Sequence, residues 1–134
     1  MKLDSIITEL KNRFPCFDRT YDGDDDIYLI YGAFGSYVLD VINLYSSNEN
    51  VPRNYFYVDI KGFYKEKDCL DMEIKSFFNF IDELFSYKDE LINDVLNTCI
   101  FGALIGNDYS YNLARKYLNK EVYNHYLEIT KRVI

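Results

Sequence analysis

The sequence predicts an all-α fold, a compact single-domain bundle of about six helices spanning residues 1–134. Three observations predict it. Apolar residues recur at i, i+3, i+4 and i+7 in one segment after another, the stripe of an amphipathic helix. Turn-formers separate these segments, and the connections are short enough for successive helices to pack as neighbours. Only one stretch alternates like a strand, and a lone strand has nothing to pair with.

Leu3, Ile6, Ile7, Leu10 and Phe14 mark the first helix. Pro15 is expected to stop it, because the residue before a proline avoids the α region. Residues 16–26 read as a loop carrying Asp22-Gly23-Asp24-Asp25-Asp26. A second stripe runs through Tyr31, Phe34, Val38, Val41, Ile42 and Tyr45. Gly32 and Gly35 weaken its first turns by up to ~1 kcal/mol each, so that helix is expected to start near Gly35, with Ile27–Tyr31 as lead-in. The two glycines read as points of close helix packing. Residues 46–54 are turn-formers.

Residues 55–64 fit both patterns. Phe56, Val58 and Ile60 alternate as in a strand, while Phe56, Ile60 and Phe63 share a helical face. Helix is preferred, with a short strand left open. The next stripe is Ile74, Phe77, Phe78, Ile81, Leu84 and Phe85, followed by Ile92, Val95, Leu96, Cys99, Ile100 and Ala103. Asp89 and Glu90 fall in the first turn of the latter, where the helix dipole favours anions. Gly106-Asn107 is a C-terminal stop. Ser110 is expected to cap a short helix through Leu118, and Glu121 to about Arg132 forms the last one.

Composition sets further bounds. Aromatic residues are 18% of the chain, from 14 Tyr and 10 Phe with no Trp, enough ring surface to fill a core and exclude disorder. The net charge of −7 makes a poor general ligand for nucleic acid or anionic lipid. No apolar run is expected to approach the ~20 residues of a membrane span. The start, Met1-Lys2-Leu3-Asp4, has no apolar core of a signal peptide. Three cysteines at 16, 69 and 99, an odd number without close spacing, predict free thiols in a reducing cytoplasm.

Catalytic and metal motifs do not assemble. The single His125 reads as a surface residue on the wet side of the last helix. Neither CxxC nor HExxH occurs. Cys16 and Cys99 flank apolar positions and read as buried, inert thiols. Tyr31-Gly32-Ala33-Phe34-Gly35-Ser36 fits no phosphate-binding loop. A calcium loop started at Asp18 places Gly23 correctly but puts Leu29 where the bidentate glutamate belongs. Started at Asp22, it fails at Ile27 and Ala33. Asp82/Glu83 and Asp89/Glu90 are adjacent pairs whose side chains point about 100° apart on a helix, so neither forms an acid–base dyad. The expectation is a protein without catalysis, cofactor, metal or small-molecule substrate.

Charge placement is more informative. Thr20 to Pro52 holds Asp22, Asp24, Asp25, Asp26, Asp40 and Glu49 with no Lys or Arg. Residues 76–108 hold Asp82, Glu83, Asp89, Glu90, Asp94 and Asp108 against Lys88 alone. Residues 109–134 reverse the sign. Crowded carboxylates repel one another unless a cation or basic partner relieves them. Tyr21 and Tyr28 flank the first run. Rings beside carboxylates suit a basic protein, because the acids steer encounter and the rings supply contact energy.

The strings Tyr28-Leu29-Ile30-Tyr31-Gly32-Ala33-Phe34-Gly35-Ser36-Tyr37-Val38-Leu39, Phe77-Phe78-Asn79-Phe80-Ile81-Asp82-Glu83-Leu84-Phe85 and Leu91-Ile92-Asn93-Asp94-Val95-Leu96 leading to Phe101-Gly102-Ala103-Leu104 carry a resemblance. Over about residues 28–106 the chain resembles small all-helical bacterial immunity proteins encoded beside polymorphic and contact-dependent growth inhibition toxins. The resemblance implies a cytoplasmic protein that binds the toxic C-terminal domain of its cognate toxin, with a basic nuclease as the favoured kind, and occludes its active site. Tyr21, Asp22, Asp24, Asp25 and Asp26 are the first choice of contacts. Asp82, Glu83, Asp89 and Glu90 are the second. The alternative is a non-catalytic helical adaptor or regulatory module for another cytosolic protein.

Overall fold

The structure, a computed structural model, describes residues 3–46 and 67–131. Residues 55–64, open between helix and strand, lie outside them. Among the described residues every regular element is helical. α1 is Leu3–Arg13, α2 Pro15–Thr20, α3 Ile27–Ser46 and α4 Lys67–Ser86. α5 is Glu90–Val95 and continues directly as a π-helical turn, Leu96–Phe101. α6 is Asp108–Tyr117 and α7 Lys120–Ile129. The all-α expectation holds.

Several boundaries differ from the sequence reading, each for a local reason. Pro15 ends α1 but also opens α2, because the first helical position needs no N–H and favours the proline φ. Residues 16–20 are therefore helix, and the loop shrinks to 21–26. α3 starts at Ile27 rather than near Gly35, because Asp26 caps it: its Oδ1 accepts from the backbone N–H of Tyr28 at 3.0 Å and of Leu29 at 3.1 Å. Asn107, not Ser110, caps α6, accepting from the Ser110 N–H at 2.9 Å. Gly106, with φ +76°, makes the expected stop before it.

α3 is the helix the others surround, packing on α1, α4, α5, the π turn and α6. It is 20 residues long and holds an 18-residue stretch of mean hydropathy 1.4, enough by length and composition to cross a bilayer, which corrects the expectation of no such run. Half of the helix is buried against the rest of the chain, with Ile30, Tyr31, Phe34, Tyr37, Val38, Val41 and Ile42 fully covered. The rings meet beside it. Phe34 lies 4.9 Å from Phe14, 5.3 Å from Phe17 and 5.5 Å from Phe77, centroid to centroid. Each such pair contributes about 0.5–1.5 kcal/mol beyond its burial. Two of the fully buried tyrosines have their hydroxyls satisfied by backbone: Tyr31 donates to the Ile6 carbonyl at 2.8 Å and Tyr126 to that of Leu104 at 3.2 Å. That explains how a chain so rich in tyrosine can fill its core with them.

Gly35 and Gly32 were both expected to mark close packing, and only Gly35 does. A Cβ at Gly35 would overlap the Cys99 carbonyl oxygen and press on Ala103, whereas a Cβ at Gly32 would meet nothing within 4 Å.

Candidate functional site

Two acid-bearing places were expected, and the structure treats them differently. The 21–26 loop is tied down by its own residues. The half-buried Tyr21 ring stacks on Phe17 at 5.6 Å, and its hydroxyl donates to the Asp24 carbonyl. Gly23 lies beneath the Tyr21 hydroxyl, where a side chain would collide with it. Burial first, then the carboxylates of Asp24, Asp25, Asp26 and Asp22, push the Tyr21 phenol above its ordinary pKa. Asp25 pairs with Lys11 of α1 at 2.9 Å. Asp26 is the α3 cap. Asp25 and Asp26, expected only as partner contacts, therefore each have a structural role as well. Asp22 and Asp24 are exposed and make no ion pair among the described residues.

The second set scatters. Asp82 accepts from the Asn119 backbone N–H at 3.1 and 3.2 Å, fastening the turn between α6 and α7 to α4, and its burial raises the carboxyl pKa. Glu83 pairs with Arg13 of α1 at 2.6 Å. Asp89 caps α5, accepting from the Ile92 N–H at 3.0 Å. Only Glu90 of this set is exposed and makes no ion pair among the described residues.

Glu90 opens onto a cleft of about 590 Å³ between α5 and α7. Leu91, Asn93, Asp94 and Asn97 line it from α5 and the π turn, Lys88 from the turn before, and His125 from α7. The π turn shapes this wall. The Gly102 N–H donates to the Asn97 carbonyl five residues back at 3.0 Å. That wider turn shifts the buried face by one residue. Phe101 and Leu104 are buried, while Ala103, expected on the stripe, is half-exposed.

Asn97 meets His125 across the cleft. His125 Nε2–H donates to Asn97 Oδ1 at 2.7 Å, that oxygen being able only to accept. The ring also packs on Phe85 at 5.0 Å and Phe101 at 5.8 Å. His125 is thus half-buried rather than on a wet face, and desolvation holds its pKa below the ordinary value, opposed weakly by Glu128. Cys99 is buried and its thiol is pushed up by desolvation, with its Sγ 3.7 Å from the Tyr28 carbonyl. Cys16 is half-buried and Cys69 exposed.

One link joins the loop to this cleft. The Tyr28 hydroxyl donates to Asp94 Oδ2 at 2.6 Å, and that hydrogen bond first, then desolvation and the charges of Asp94 and, least, Asp26, raise the pKa of the Tyr28 phenol. Asp26, Tyr28 and Asp94 therefore form one acidic, aromatic edge between the loop and the cleft. Tyr28 is 41% exposed there, Leu29 58% and Leu91 56%. Asp94, Asn93, Asn97 and His125 were not singled out as contacts from the sequence; the run of acids around Asp89 and Glu90 was the signal that pointed toward them. Comparison of the chain with protein-family models, with curated proteins and with solved structures finds no match.

Proposed function

We propose that this chain is a cytoplasmic immunity protein. It binds the toxic C-terminal domain of a contact-dependent growth inhibition or related polymorphic toxin, a basic nuclease being the favoured kind, and blocks that domain's active site without catalysis of its own. The observation that supports this reading best is the edge running from the loop to the cleft. Asp22 and Asp24 make no ion pair among the described residues, and Asp26 and Asp94 flank an exposed tyrosine. The carboxylates would steer a cationic domain into contact, and Tyr28 and Leu29 would supply buried area once docked. The same loop is held in place by Tyr21, Asp25 and Asp26, so little ordering remains to be done on binding.

The test is co-expression with the C-terminal domain of a toxin encoded next to this gene. A stoichiometric complex that rescues growth is expected, with association slowing as salt rises. Reversing Asp22 and Asp24 to lysine is expected to slow association about tenfold or more with little change in dissociation. No rescue and no complex would overturn the immunity reading in favour of an adaptor.

A further inference from the structure

We draw no further inference here: the strongest candidate, the exposed apolar patch of Tyr28, Leu29 and Leu91 on the acidic edge between the 21–26 loop and the cleft, belongs to the surface already proposed to meet the toxin, and nothing in the structure shows what else would cover it.

Discussion

The π turn Leu96–Phe101 has two sides, and they are built in opposite ways. Toward α3 it is packed so closely that Gly35 faces the Cys99 carbonyl with no room for one carbon atom. Toward α7 the same turn carries Asn97 into a cleft of about 590 Å³. The difference teaches where stability and binding are separated in this molecule. The tight side is apolar and holds α3 against the rest of the bundle. The open side is polar, lined by Glu90, Asn93, Asp94, Asn97 and a histidine packed among rings.

The sharpest way to break that contrast is Gly35→Ala. The obstacle is a backbone carbonyl, which cannot rotate aside as a flexible side chain would, so α3 and the π turn must move apart. A loss of about 3 kcal/mol is expected, read as a lower urea midpoint with an unchanged slope. A loss below about 0.5 kcal/mol would show that the two helices are not locked together there.

Titration tests the open side against the core. Glu73 on α4 is half-buried, and burial pushes its carboxyl up to about 7. Between its ordinary value of 4.5 and about 7 the folded state keeps a proton that the unfolded chain has lost, so stability falls as pH rises through this window. Glu73→Gln is expected to stabilise the protein at pH 8 by up to about 3 kcal/mol. His125 acts with the opposite sign. Its folded pKa is lowered, so the unfolded chain takes the proton first and stability is lost as pH falls below 6.5. The two slopes oppose each other in the parent. His125→Gln, which keeps an N–H for Asn97, is expected to leave the Glu73 slope alone and make stability decline more steeply with rising pH. Thermal unfolding between pH 4.5 and 8 reads both. An unchanged profile in His125→Gln would place that ring in water after all.

Asp89→Ala probes the start of the helix that carries the cleft. Loss of the cap on the Ile92 N–H is expected to cost about 1 kcal/mol, with amide exchange rising first in α5. Exchange that rises evenly over the bundle would mean that α5 does not loosen on its own.

How far the sequence foretold all this depends on whether a signal is local. The helical stripes of α1, α3 and α4 and the Gly106 stop were legible, because period and punctuation act within a few residues. The Asp26 cap was legible in principle, since an aspartate stood directly before an apolar run; its membership of an acidic cluster drew attention away from it. The π turn was not legible. A one-residue shift leaves the same apolar residues in the segment, so the stripe placed Ala103 where Leu104 is buried. His125 was misplaced because its burial comes from Phe85 and Phe101 on other helices. The candidate site suffered likewise. Its acids were visible, but whether Asp25 and Glu83 were engaged by Lys11 and Arg13 depended on contacts between separate segments.

The smallest effect returns to α3 and isolates the packing contribution. Gly32 lies one turn before Gly35 on the same helix, and a Cβ there would meet nothing within 4 Å. The backbone consequences of Gly→Ala are alike at the two positions: less freedom in the unfolded chain and a better helix former in the folded one. Gly32→Ala is therefore expected to raise stability by about 0.5–1 kcal/mol. The gap between the two variants then measures what the Cys99 carbonyl imposes at Gly35, with helix propensity cancelled. A loss at Gly32 comparable to that at Gly35 would mean that α3 tolerates no added bulk along this stretch, and the contrast between the two sides of the π turn would no longer explain why Gly35 is a glycine.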